Sequence, residues 1–72
     1  MKWHRVSEET PDNGRACLCR HTSYNTDDKP VYCYDFCFFD DTWMQVHSDK
    51  VFPLTYFTDW ATISEITKEL EQ

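Results

Sequence analysis

The feature that most constrains this chain is the run Val31-Tyr32-Cys33-Tyr34-Asp35-Phe36-Cys37-Phe38-Phe39, in which five of nine residues are aromatic. Aromatic and β-branched side chains suit the pleated, half-buried surface of a sheet. Residues 31–39 therefore read as a β-strand, and the rest of the chain must supply its neighbours.

Turn formers on either side show where those neighbours lie. Asp40-Asp41 reads as a two-residue turn, although Asp-Asp is a poorer hairpin dipeptide than Asn-Gly. Residues 42–47 then form a strand, Ser48-Asp49-Lys50 a three-residue turn, and 51–58 the last strand, which Pro53 moves towards a sheet edge. Upstream, residues 3–6 read as a short first strand and 16–21 as a second. Asp12, Asn13 and Gly14 mark a loop between them, and the Ser-, Asn- and Asp-rich stretch 22–30 marks another.

After Trp60 the pattern changes period. Thr62-x-x-Glu65 has the form of a capping box, and Ile63, Ile66 and Leu70 fall on one helical face. The expected fold is α+β and β-rich, a small antiparallel sheet of four to five strands with a short C-terminal helix. Seventy-two residues leave room for one domain, spanning 1–72.

Register arithmetic assigns the faces. A three-residue second turn sets Val46 opposite Phe52 and Met44 opposite Leu54. A two-residue turn at Asp40-Asp41 adds Phe39, Cys37 and Cys33 to that face. Tyr32, Tyr34, Phe36, Phe38 and Trp43 are left on the other. Both faces are apolar, and a sheet of that kind is either covered twice or presents one face to a partner. Three apolar helix residues are too few to cover five aromatics, which is the main functional clue.

Charge narrows the partner. Thirteen acids against seven bases give a formal charge of −6, and no segment clusters Lys and Arg as a nucleic-acid footprint requires. The expectation is no direct nucleic-acid binding, and a surface complementary to a basic, nucleic-acid-handling protein. The opening MKWHRVSEETPD holds no apolar run, and no later stretch is long enough to span a bilayer. The sequence thus points to a cytoplasmic protein without a membrane segment.

Four cysteines invite a metal or disulfide reading, since a core of this size supplies only about 3–5 kcal/mol. Cys17-x-Cys19 and Cys33-x-x-x-Cys37, with His4, His21 and His47, lack zinc-knuckle spacing: residues four apart on a strand lie ~13 Å apart. A hairpin of the second and third strands sets either Cys17 opposite Cys37 or Cys19 opposite Cys33, never both in one regular ladder. In a reducing compartment the expected state is free, buried thiols acting as small apolar groups, with no metal and no cofactor. Cys19 and His21 share one side of a strand, yet nothing activates the thiol, and no calcium-loop spacing surrounds Asp40, Asp41 and Asp49. The lone Gly14 leaves no phosphate loop. No catalytic residue is expected, so the chain reads as a binding protein and not an enzyme.

Several landmarks stand in a particular order: Trp3-His4-Arg5-Val6, Pro11, Gly14 ahead of Cys17-Leu18-Cys19, Trp43, and Thr58-Asp59-Trp60. The order resembles a family of small phage and prophage proteins catalogued as domain of unknown function 551, whose members open with Trp-x-x-Val and close on Thr-His-Trp. Asp59 stands where that family has His, and Ala61-Thr62 and a helix replace its Met-Pro tail. The resemblance implies a phage-type protein acting on a host macromolecule, such as an inhibitor of a defence nuclease. It carries over no catalytic residue.

The expected partner-binding residues follow from the face assignment. Tyr32, Tyr34 and Trp43 are the anchors, because Tyr and Trp bury large area at low side-chain entropy. Asp40, Asp41 and Asp49 form a steering rim. Two alternatives stay open: a zinc- or disulfide-stabilised structural domain, and a homodimer that buries the aromatic face.

Overall fold

The computed structural model describes residues 2–70. It is a six-stranded antiparallel sheet followed by one short helix, one strand more than the upper bound of the four to five expected, because the stretch expected as a single last strand supplies both β5 and part of the region leading into a separate β6. The strands are β1 (His4–Arg5), β2 (Ala16–Tyr24), β3 (Pro30–Asp40), β4 (Thr42–Gln45), β5 (Val51–Phe52) and β6 (Asp59–Thr62), and the helix is α1 (Ile63–Leu70). Their order across the sheet is β1-β6-β2-β3-β4-β5.

The aromatic run forms β3, which pairs with β2 along the whole length of β2. Of the two registers open in the sequence, the ladder takes the one with Cys17 opposite Cys37. Its tip is held by Asn25, whose side-chain oxygen accepts from the N–H groups of Asp27 and Lys29 at 2.9 and 3.1 Å.

Both later turns differ from expectation, and each difference has a local cause. Asp40 pairs with Thr42 around Asp41 alone, which sits at φ +61°. Asp tolerates this left-handed conformation better than most residues. Asn13 fixes it, accepting from the Asp41 N–H at 3.2 Å and donating to the Asp41 carboxylate at 3.4 Å. Shifting the register by one residue moves every β4 side chain to the other face. Trp43 therefore joins Phe39 and Phe52, while Met44 joins Phe38 and Val51.

The second turn is longer than three residues. Ser48 Oγ donates to Gln45 Oε1 at 2.6 Å and accepts the Lys50 N–H at 3.2 Å, and the Gln45 N–H donates to the Lys50 carbonyl. These bonds turn the chain out of the ladder after Val46. Val51, not Leu54, consequently faces Met44.

The expected last strand over 51–58 is broken in two. β5 stops at Phe52, ahead of Pro53, which has no N–H to extend a ladder. The chain then crosses the sheet and delivers buried Phe57 to the core before β6 begins. β6 runs between β1 and β2, and Asp59, Trp60 and Ala61 are all buried, as befits a strand covered on both sides.

The helix begins where the capping box places it. Thr62 Oγ1 accepts the Glu65 N–H at 3.2 Å. Ile63 and Ile66 are half-buried, whereas Leu70, expected on the same face, is exposed. No helix among the described residues is long and apolar enough to cross a membrane.

Candidate functional site

The sheet has two unlike faces. One carries the core: Cys17, Cys19, Cys37, Phe39, Trp43, Phe52 and Trp60, with Phe57 packed on them. The segment after β5 and the loop before β2 close over it, the latter through buried Pro11 and a 2.9 Å bond from Trp60 Nε1 to the Glu9 carbonyl. Register places Tyr34, Phe36, Phe38, Met44, Val46 and Val51 on the opposite side. Phe36 is 44% exposed and Phe38 39%, and the others range from 40 to 56%. A contiguous apolar surface of this kind marks an interaction site more often than a scatter of single exposed residues does.

At its β2 end the open face carries a fixed cation. Arg20 lies opposite Tyr34 on one side and Asp59 on the other. Its Nε and Nη2 both donate to Asp59 Oδ2 at 3.1 Å, and Thr58 Oγ1 donates to the same oxygen at 2.9 Å. The guanidinium stacks 4.4 Å from the Trp3 ring centroid and 5.0 Å from that of Tyr32. Two donors converging on one carboxylate oxygen plus stacking on two rings pin it in a way that Lys cannot reproduce. Beyond it a groove of about 770 Å³ runs between residues 54–58 and the β2–β3 hairpin, with Arg5, Tyr24 and Thr55 on its walls.

The expected binding residues separate into three groups. Tyr32 and Tyr34 are exposed on the open face. Trp43 is a correction: it is fully buried, edge-on to Phe39 and Phe57, because the one-residue turn at Asp41 reverses its face. Asp40 and Asp49 are exposed, and Asp41 is exposed but tied to Asn13. Arg20 and Trp3 escaped sequence reasoning, since the strand that joins them to Asp59 was not visible there. Phe36 and Phe38 lie in the same alternation as Tyr32 and Tyr34, and that was the signal for them.

The thiols lie on the core face. Cys17, Cys19 and Cys37 are fully buried, and Cys33 is exposed near the end of β3. Burial pushes Cys17 up to about 11. Pairing with Cys37, together with burial, raises Cys19 above the ordinary thiol value, and the same pairing lowers Cys37. Thiols held protonated in an apolar interior are poor nucleophiles.

The histidines stand apart from them. His21 donates from Nδ1 to the Tyr56 carbonyl at 2.6 Å and stacks on the Tyr56 ring, which gives it a structural task and not that of a base for Cys19. His4 stacks on Trp60 with ring centroids 4.4 Å apart. Its Nδ1 meets Glu9, and its Nε2 lies 3.1 Å from Glu65. His47 is exposed in the β4–β5 turn. Among the described residues no group of His, Cys, Asp and Glu is arranged to hold a metal ion.

No protein family, curated protein or solved structure matches the chain.

Proposed function

We propose that this chain is a protein-interaction module without catalytic activity, and that the open face of the sheet is its docking surface. The observation that carries the reading is the contrast between the faces. Loops and a crossover segment cover one, while Tyr34, Phe36, Phe38, Met44 and Val46 stand exposed on the other. Tyr32 and Tyr34 are the anchors retained from the sequence reading, and Asp40 lies on the same face as Phe38 at its far end.

The formal charge of −6 favours a basic partner. Together with the resemblance to small phage proteins, it supports a host protein that handles nucleic acid, met in the host cytoplasm. A defence nuclease fits that description.

The test compares the wild-type chain with a Phe36→Ser, Phe38→Ser double variant as bait in a bacterial lysate. A protein retained by the first and lost from the second, with unchanged circular dichroism, is the expected result. Identical captures overturn the assignment of the face. Sedimentation at micromolar concentration separates a second reading: a dimer disrupted by the same two substitutions reassigns the face to a second copy of this chain.

A further inference from the structure

We infer that the outer edge of β3 below β4 is a strand-addition site, which takes an extended segment of the partner carrying apolar residues on one side and Lys or Arg on the other. The inference rests on the reading of the chain as an interaction module and specifies how the partner engages it.

The backbone carries the first part of the argument. In an antiparallel ladder successive residues of a strand point their N–H and C=O groups alternately to the two neighbours. The Phe39 N–H donates to Arg15 and the Asn25 N–H to Lys29, so the odd-numbered residues of β3 bond towards β2. The even-numbered ones bond towards β4, as the bond from the Val46 N–H to the Phe36 carbonyl shows. β4 pairs with β3 only from Cys37 to Asp40, and the chain leaves the ladder after Val46. The N–H and C=O groups of Tyr32 and Tyr34 therefore face outward, and among the described residues no backbone group meets them. An open edge of this sort is a template for another strand.

Side chains specify the occupant. Residues added opposite Tyr32 and Tyr34 fall on the open face and continue the apolar surface of Phe36 and Val46. Residues added opposite Cys33 and Asp35 fall on the other side. Cys33 is exposed there, and Asp35 is half-buried. Both Asp35 oxygens accept from Gln45 Nε2, at 2.9 and 3.1 Å, and among the described residues no cation pairs with it. A Lys or Arg on the added strand completes that carboxylate, and the formal charge of −6 acts in the same direction.

The test selects binders from a displayed library of random twelve-residue peptides against the immobilised full chain. Enriched peptides alternate apolar with basic residues. Bound to the isotope-labelled protein, they slow amide exchange at Tyr32 and Tyr34 by about tenfold or more. Tyr34→Pro, which removes an outward donor and no bond to β2, abolishes binding, whereas Tyr34→Ala retains it in part. Asp35→Asn weakens the basic peptides roughly threefold to tenfold. Peptides that leave both amides unprotected but are lost with Phe38→Glu overturn strand addition and leave the open face as the docking surface. Peptides indifferent to both the edge and the face, or no enrichment, overturn strand addition together with the proposed function. Because the exchange readout uses the wild-type chain, it decides the question even if the Pro variant fails to fold.

Discussion

Phe39 stands directly opposite Trp43 across the β3–β4 ladder, their ring centroids 4.8 Å apart and their planes at 62°. Edge-to-face contact of this kind adds to area burial, and Phe57 meets the same indole at 86°. Trp43 is thus the centre of a small aromatic core. Trp43→Ala is expected to cost about 3–5 kcal/mol, as much as a domain of this size has in total. Chemical denaturation checks it: the variant has no folded baseline, and a cooperative transition close to that of the wild type contradicts the placement.

The long elements were legible from residues alone. Aromatic density located β3, and its alternation put Tyr32, Tyr34, Phe36 and Phe38 on one side. The face of Trp43 was not legible, because it depends on whether one residue or two close the turn, and Asn13, far off in sequence, decides that by holding Asp41 at φ +61°. β6 escaped for a related reason. Asp59-Trp60-Ala61-Thr62 carries no alternation, since a strand covered on both sides needs none, and its neighbours β1 and β2 lie far off in sequence.

The helix start was legible, because a capping box is local chemistry. Thr62 accepts from the Glu65 N–H, while the Glu65 carboxylate turns to His4. Thr62→Ala is expected to lower stability by about 1 kcal/mol, and Thr62→Asp by less. Thermal melts of the two variants rank them; equal losses place the contribution of Thr62 in the strand and not in the cap.

Thiol reactivity should divide the cysteines sharply. Cys33 is exposed and the other three are fully buried. With Cys17 pushed up to about 11, roughly a thousandth of it is thiolate at pH 8 even before access is considered. An aromatic disulfide reagent is expected to modify Cys33 quickly in the native protein and all four cysteines in guanidinium. A count of two in guanidinium without reductant instead reveals a disulfide. Cys17 and Cys37 are its natural members, being directly opposed in a hydrogen-bonded pair with Cα atoms ~5.5 Å apart.

The Arg20–Asp59 pair tests how the β2 end of the open face is built. Asp59 is 9% exposed, and Arg20 supplies both of its ionic contacts. Removing one member of a fully buried pair costs ~3–5 kcal/mol, and the partial exposure of Arg20 brings the expected loss for Asp59→Ala to about 2–3 kcal/mol. Arg20→Lys keeps the charge but loses the fork and the stacking on Trp3 and Tyr32. The expected signature is a drop in stability together with a change in Trp3 fluorescence, read against Trp43→Phe and Trp60→Phe backgrounds. An unchanged Trp3 signal removes the stacking from the account.

The open face predicts a dissociation of stability from binding that the core residues cannot show. Phe38 is 39% exposed, and its neighbours Phe36 and Met44 are exposed as well. Replacing Phe38 by Thr keeps β-propensity and removes apolar surface that folding does not bury fully. Its effect on stability should stay within about 1 kcal/mol, against the ~3–5 kcal/mol expected at Trp43. Binding of a hydrophobic dye, and of any partner docked on this face, should fall. Phe39→Thr, one residue along and pointing into the core, should do the opposite, unfolding the domain and raising dye binding. Measuring melts and dye fluorescence for the two neighbours side by side settles the face assignment, and similar destabilisation of both would mean that the open face is covered in solution.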